Sequence, residues 1–266
     1  MGFDTMTICI SGLCENGEKI IIASDKMVTV GSIIEFEHDV AKFVKLTNNC
    51  VILNAGSATI QDDIIKEALS KIKPLKKPNL NKITEIINEG YSKVRRKKAE
   101  ELYLKPKGLD FRAFYQTQRS LLPEVVFQIM TLIDGTNLGV EYILCGFDEE
   151  GGHIHHITDP GTSECFDSVG FCAIGTGSVN AISVFTAYNY APKFSLSESL
   201  YLVYLAKKEA ERAPGVGNDT DMVIVSKEGI KDISSDDISA LENIYNTRVQ
   251  IKPEEYEDVK ERIVEK

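Results

Sequence analysis

Apolar residues recur along this chain with two spacings, alternating in some stretches and stepping by three or four in others, and the switches between them mark out its elements. The first stretch predicts a strand pair: an apolar run from Ile8 to Leu13, a turn signal at Asn16-Gly17, and a β-branched run at Ile20, Ile21 and Ile22. Polar residues stand at its open ends, Thr7 ahead of the first strand and Asp25 at the close of the second, and antiparallel pairing sets those ends side by side. Whether they share a face depends on the loop. A two-residue Asn16-Gly17 loop pairs Thr7 with Lys26 and turns Asp25 away, whereas a three-residue Asn16-Gly17-Glu18 loop pairs Cys9 with Asp25 and turns Thr7 and Asp25 the same way. The sequence permits both; the odd-length loop is the expectation adopted, because it alone assembles a site.

Further along, Lys42 precedes an alternating Phe43-Val44-Lys45-Leu46, and Val51-Ile52-Leu53-Asn54 runs into Asn54-Ala55-Gly56-Ser57-Ala58. This reads as a strand ending in a glycine turn that opens a helix, with backbone N–H groups free to hold an anion. Helical spacing follows at Ile60, Ile64 and Leu69, stopped by the Lys73-Pro74 and Lys77-Pro78 region, and again at Ile83, Ile86, Ile87 and Tyr91. The basic run from Ser92 to Lys107 reads as an exposed helix face. Strands resume at Glu141 to Phe147 and, after Gly151-Gly152, at His153 to Thr158. From Phe171 a strand enters Gly175-Thr176-Gly177, and a helix continues through Ile182, Phe185 and Tyr188. Ser195 and Glu198 form a capping box for another helix, and Met222 to Val225 is apolar throughout, as in a sheet covered on both faces. Two apolar sheets with helices outside both predict an α+β chain folded as a four-layer αββα sandwich.

At 266 residues the chain can bury one large core, so 1–266 is read as a single domain with an acidic extension over 229–266. A net charge of −10 excludes general nucleic-acid binding. No apolar run approaches membrane-spanning length, which predicts a cytoplasmic protein with no membrane partner. The cysteines at 9, 14, 50, 145, 165 and 172 lack paired CxxC spacing and read as buried thiols in a reducing compartment. His153 and His155 share a strand face, yet no Cys or carboxylate stands at a recognisable ligand spacing, so no metal and no cofactor are expected.

The ordered set of Thr7, the Ile20-Ile21-Ile22-Ala23-Ser24-Asp25 strand, Lys42 and Ala55-Gly56-Ser57-Ala58 resembles the proteasome β-subunit and its bacterial relatives HslV and Anbu, all N-terminal-nucleophile (Ntn) hydrolases. Met6-Thr7-Ile8-Cys9 matches the Anbu MTxC start; Ala173 to Ser178 is similar to the family's GSGS turn and Asp221 to Val225 to its last core strand. The likeness spans most of residues 7–227 and rests on the order of the motifs, since none is specific alone. It implies a threonine-type hydrolase of peptide or amide bonds, with Thr7 as nucleophile, Asp25 and Lys42 as the charged residues beside it, Gly56 as the oxyanion-hole turn and Thr176 in place of a supporting serine. It also implies a peptide or protein substrate and a ring-like homo-oligomer, and leaves an unfoldase partner open. Two other functions remain beside this one: a non-catalytic proteasome-like subunit acting as scaffold, and an Ntn hydrolase of a small-molecule amide.

Three departures from the family accompany the resemblance. The aspartate that precedes the last core strand in the family falls near Ala213, which leaves its role empty or filled by Asn218 or Asp219; HslV lacks it too. Residues 105–140, with Phe111 to Ser120 and a helical Leu121 to Ile133, read as an insertion. Finally, an Ntn nucleophile needs its own α-amine free as base, and Met1 to Met6 precede Thr7. Residues 1–6 are therefore read as a leader or a start placed too early, with translation from Met6 and methionine removal the expected route.

Overall fold

The computed structural model describes residues 7–30, 34–37, 42–76 and 78–248. The readings of Met1 to Met6 and of the acidic tail beyond Arg248 lie outside them. The first pair of strands is β1 (Cys9–Cys14) and β2 (Lys19–Asp25), followed by a ribbon of β3 (Met27–Val30) and β4 (Ile34–Glu37). Next come β5 (Phe43–Thr47) and β6 (Cys50–Gly56), then the helices α1 (Ala58–Ile72) and α2 (Leu80–Ala99). The helices α3 (Phe111–Thr117) and α4 (Pro123–Asp134) precede β7 (Val140–Phe147), β8 (Gly152–Thr158), β9 (Thr162–Cys165) and β10 (Phe171–Ile174). The chain continues through α5 (Ser178–Ala187), α6 (Leu196–Ala210), β11 (Thr220–Ser226), β12 (Gly229–Asp232) and α7 (Ser235–Arg248).

Two antiparallel five-stranded sheets result, ordered β10-β1-β2-β11-β12 and β5-β6-β7-β8-β9, so the fold is α+β. Cys9, Leu13, Ile20, Ile22, Val223 and Val225 of the first sheet join Val51, Leu53, Ala55, Ile143, Cys145 and Ile154 of the second in one buried cluster. The second sheet turns Ile52, Tyr142 and Leu144 to the helical stripes of α1 and α2, among them Ile64, Ala68, Ile83, Ile87 and Tyr91. On the first sheet, Gly12 lies against Tyr190 and Val203 of the helical side, where an added Cβ would come within 2.7 Å of the Tyr190 hydroxyl. Ile20, Ile21 and Ile22 are all fully buried: three consecutive isoleucines need partners on both faces, and burial of each contributes about 1.5–3 kcal/mol.

The register of β1 and β2 corrects the sequence expectation. Cys9 lies opposite Ser24, not Asp25, and Cys14 lies opposite Lys19, so the connection is Glu15 to Glu18. Tertiary contacts set that length. Glu15 and Asn16 donate their N–H groups to Phe194 and Pro192 carbonyls, the Glu15 carboxylate caps Leu196 N–H at 2.6 Å, and Glu15, Asn16 and Gly17 all take positive φ. By this register Asp25 projects to the face carrying Ile21 and Ala23, toward the helices, and not to the face of Cys9.

Residues 105–140 form α3 and α4 with a small core of their own, in which Phe111, Phe114, Ile129 and Ile133 meet Ala99 and Leu104. The basic run is not wholly solvated: Arg95 donates to the carbonyls of Thr136 (2.8 Å) and Asp134 (2.7 Å), tying α2 to the end of α4. Cys165 is exposed while the other cysteines are buried, so the all-buried reading fails at that position. The chain divides after Asp232. The acidic extension expected from Gly229 therefore leaves its first residues in the sheet as β12, and the second unit begins at Ile233 with α7, whose first turn is capped by Ser234 hydrogen-bonded to Asp237. No helix among the described residues is long and apolar enough to cross a membrane.

Candidate active site

The site forms where the β1–β2 ladder stops. Beyond the Cys9–Ser24 pair the chain leaves regular pairing, and Asp25 takes over the role of a ladder partner with its side chain: Oδ1 accepts the Ile8 N–H at 3.0 Å, while the Asp25 N–H donates to the Ile8 carbonyl. The same oxygen accepts the Thr7 hydroxyl at 2.7 Å. Thr7 and Asp25 thus meet although the register turns their strand positions to opposite faces, because Thr7 lies outside the strand and the carboxylate reaches around its end. Lys42, immediately before β5, completes the group: its ammonium donates to Thr7 Oγ1 and, at 2.6 Å, to Asp25 Oδ1. Asp25 is fully buried, Thr7 nearly so, and Lys42 retains slight exposure. A buried carboxylate without partners is strongly unfavourable, and here hydroxyl, ammonium and amide donors compensate it.

Three backbone segments hold the cluster. Asn54 near the end of β6 donates its N–H to the Lys42 carbonyl (3.1 Å), and its own carbonyl accepts the Cys9 thiol (3.3 Å). Gly56 follows two residues later with φ +119°, and a side chain there would collide with the Gly139 carbonyl at 2.1 Å, so this strand-to-helix corner admits only glycine. The second segment is the turn after β10. Gly175 has φ +96° and presses on Thr7 so closely that a Cβ would fall 2.3 Å from the Thr7 carbonyl oxygen; Thr176 comes next, half-buried in the turn into α5. The third lies between α6 and β11, where Gly217 donates its N–H to Asp25 Oδ2 at 3.0 Å.

Sequence reasoning named Thr7, Asp25, Lys42, Gly56 and Thr176, and the first three form one hydrogen-bonded group. It missed Gly175 and Gly217. Gly175 was legible only as a turn residue, and Gly217 had a signal only in the small residues of Pro214-Gly215-Val216-Gly217. In this last segment, where the role of the family aspartate was read as empty or filled by Asn218 or Asp219, the Gly217 backbone amide donates to Asp25.

Cys9 is the other nucleophile type close by, and its environment disarms it. Burial, reinforced by the Asp25 charge and only partly offset by Lys42, pushes its thiol up to about 12, so it stays protonated and serves as a donor to Asn54. Among the described residues no group of His, Cys, Asp and Glu is arranged to hold a metal ion.

Comparison with known proteins points the same way as the motif order, over part of the chain. The chain is 36% identical over 93 residues to the proteasome subunit beta 2 of Pyrobaculum calidifontis and, equally, to that of Pyrobaculum aerophilum. The matched segment is 35% of this chain and spans 44% of each relative's length. No family model matches. The two antiparallel sheets and their helices make an α+β fold compatible with the proteasome-like fold, and the likeness to proteasome β-subunits stands at this partial level.

Proposed function

We propose that this protein is a proteasome-β-like threonine hydrolase of peptide or amide bonds, built as an αββα sandwich, with Thr7 as the nucleophile. The observation that carries the reading is the shared contact of one threonine hydroxyl with a lysine ammonium and a buried aspartate. A threonine hydroxyl is a poor nucleophile at neutral pH. In this reading removal of residues 1–6 frees the Thr7 α-amine, whose ordinary pKa of about 7.7–8.0 leaves a usable neutral fraction near physiological pH. The amine takes the hydroxyl proton as Oγ1 attacks the substrate carbonyl and returns it to the leaving amine. Lys42, positively charged beside Oγ1, favours the developing alkoxide, and Asp25 holds Lys42 in line. The Gly56 N–H receives the oxyanion, a contact worth about 2.7–4 kcal/mol in comparable sites. Water then hydrolyses the acyl ester on Thr7. Thr176 supports the Thr7 end of the site from the neighbouring turn, and assembly into a ring-like homo-oligomer accompanies this reading.

A specific observation favours a second reading: Thr7 is only 5% exposed. A chain that keeps the residues ahead of Thr7 lacks the amine base and is a non-catalytic proteasome-like subunit. Intact mass of the protein from its native host separates the two, because a chain beginning at Thr7 is expected to acylate with a β-lactone probe at that residue and a Thr7→Ala chain is not. Retention of residues 1–6, or full activity in Thr7→Ala, would remove the threonine assignment.

A further inference from the structure

The segment that donates Gly217 N–H to Asp25 is itself held by a lysine with no place in the chemistry above. Lys207, in the last turn of α6, has a fully buried side chain. Its ammonium donates to the Gly217 carbonyl at 3.0 Å and the Asn218 carbonyl at 2.7 Å, and pairs with Glu211 at 2.5 Å. Gly217 is thus bonded through both of its backbone groups, the amide to Asp25 and the carbonyl to Lys207. Glu211 is in turn shared with Lys208 at 2.6 Å. Burying an ammonium is costly unless its protons find partners, and here the protons go to a carboxylate and to two carbonyls of one short segment. Burial depresses the Lys207 pKa and Glu211 works against that shift, so the ion pair and the two carbonyl contacts are what favour the ammonium at this buried position.

We infer that Lys207 is a positioning residue for the active site, fixing the 213–219 segment so that the Gly217 amide holds the second oxygen of Asp25. The inference rests on the threonine-hydrolase reading. It bears on what the family aspartate near Ala213 left open: in this chain one support of the site is a backbone amide pinned by a buried lysine. Without Lys207 the Gly217 and Asn218 carbonyls lose the ammonium contact, the segment relaxes, and the Gly217 N–H to Asp25 Oδ2 is less well ordered.

The test compares wild-type protein with an N-terminal Thr7, Lys207→Met and Glu211→Gln, measuring β-lactone labelling of Thr7 and hydrogen exchange across residues 213–220. Lys207→Met keeps the volume, and Lys208 still compensates Glu211. The expected result is a roughly tenfold slower maximal acylation rate at unchanged probe affinity, as when one charge-assisted hydrogen bond is weakened, with faster amide exchange at Gly217. Glu211→Gln, which removes the counter-charge of the Lys207 ammonium and so weakens its hold on the two carbonyls, is expected to show the same two changes at about threefold, and carries the test if Lys207→Met does not fold. A purely structural role would lower the labelled fraction and leave the rate of that fraction intact. Wild-type rates and wild-type exchange in the folded variants would overturn the positioning role alone. Failure of wild-type Thr7 to label would remove the threonine reading and this inference together.

Discussion

Among the described residues, two compact clusters of charge and hydrogen bonds lie on different sheets. On the first sheet, Asp25 gathers Thr7, Lys42 and two backbone amides. On the second, His153 of β8 bridges two carboxylates, Asp167 at 2.6 Å through Nδ1 and Asp148 at 3.0 Å through Nε2, with Asp167 also accepting the Ile154 N–H. The first sets one ammonium against one carboxylate and the second one imidazole between two carboxylates, and they differ in what they leave available. Both imidazole nitrogens are engaged by carboxylates, and the thiol that reaches the bridge, Cys165, is held above its usual range by burial and by its hydrogen bond to Asp167, so the His153 cluster ties the β7–β8 turn to the segment before β10. In the Asp25 cluster a nucleophile type is itself a member, and a cation sits on its oxygen. Charge density alone therefore does not mark a candidate catalytic site; a nucleophile type paired with a cation does.

The sharpest way to break the comparison is to remove the cation from the first cluster. Lys42→Met is expected to reduce amide hydrolysis and Thr7 acylation by roughly 10²–10⁴-fold, while Asp25 keeps the Thr7, Ile8 and Gly217 donors and the chain still folds. Probe kinetics together with a thermal melt measure both. A Lys42→Met protein as active as wild type would reduce the Asp25 cluster to the same structural standing as the His153 bridge.

A smaller effect tests whether the first cluster depends on its glycine frame. Gly175 and Gly17 have nearly the same φ, +96° and +92°, but a Cβ on Gly175 would strike Thr7 whereas one on Gly17 meets nothing within 4 Å. Gly17→Ala is expected to cost about 1–2 kcal/mol from the left-handed backbone alone and to leave activity unchanged. Gly175→Ala adds the collision with the Thr7 backbone, and is expected to displace Thr7 and lower both melting temperature and acylation rate. Equal behaviour of the two variants would show that Gly175 does not frame the site.

The two clusters were also unequally legible in the sequence. The strands of the first sheet, the helical stripes of α1, α2 and α6 and the capping box at Ser195 follow from local pattern, since each element needs only its own residues to declare its period. Thr7, Asp25 and Lys42 were legible as an ordered set of strand ends. The register was not, because the Glu15 to Glu18 connection is set by residues 192–196, far along the chain. For the same reason the His153 bridge escaped: Asp148 and Asp167 lie on either side of the strand at spacings that follow no ligand pattern, and only the fold brings both to one ring. Gly217 was hidden because its donor is a backbone amide, which nearly every residue carries, and Lys207 because its ammonium is aimed at backbone carbonyls that no sequence pattern marks.

The smallest effect belongs to the His153 bridge and has a defined direction in pH. Burial works against the His153 charge, but the hydrogen bonds and charges of Asp167 and Asp148 outweigh it and raise the imidazole pKa. A folded pKa above the unfolded value of about 6.5 gives stability that is complete below that value and is lost as pH rises through the folded one. Asp148 behaves oppositely. Burial alone would raise it, yet the Glu150 N–H and His153 hold it below the usual carboxylate range, so its share is lost as pH falls through that depressed value. The bridge is therefore strongest between the two transitions. His153→Asn is expected to lower stability by about 1.5 kcal/mol near pH 6, the low end for hydrogen bonds to charged groups because Asp167 is partly exposed. The difference should shrink toward pH 9, as read from denaturant melts across the range. Thr7 acylation should be untouched at every pH, and a parallel loss of acylation would join the two clusters that the structure keeps on separate sheets.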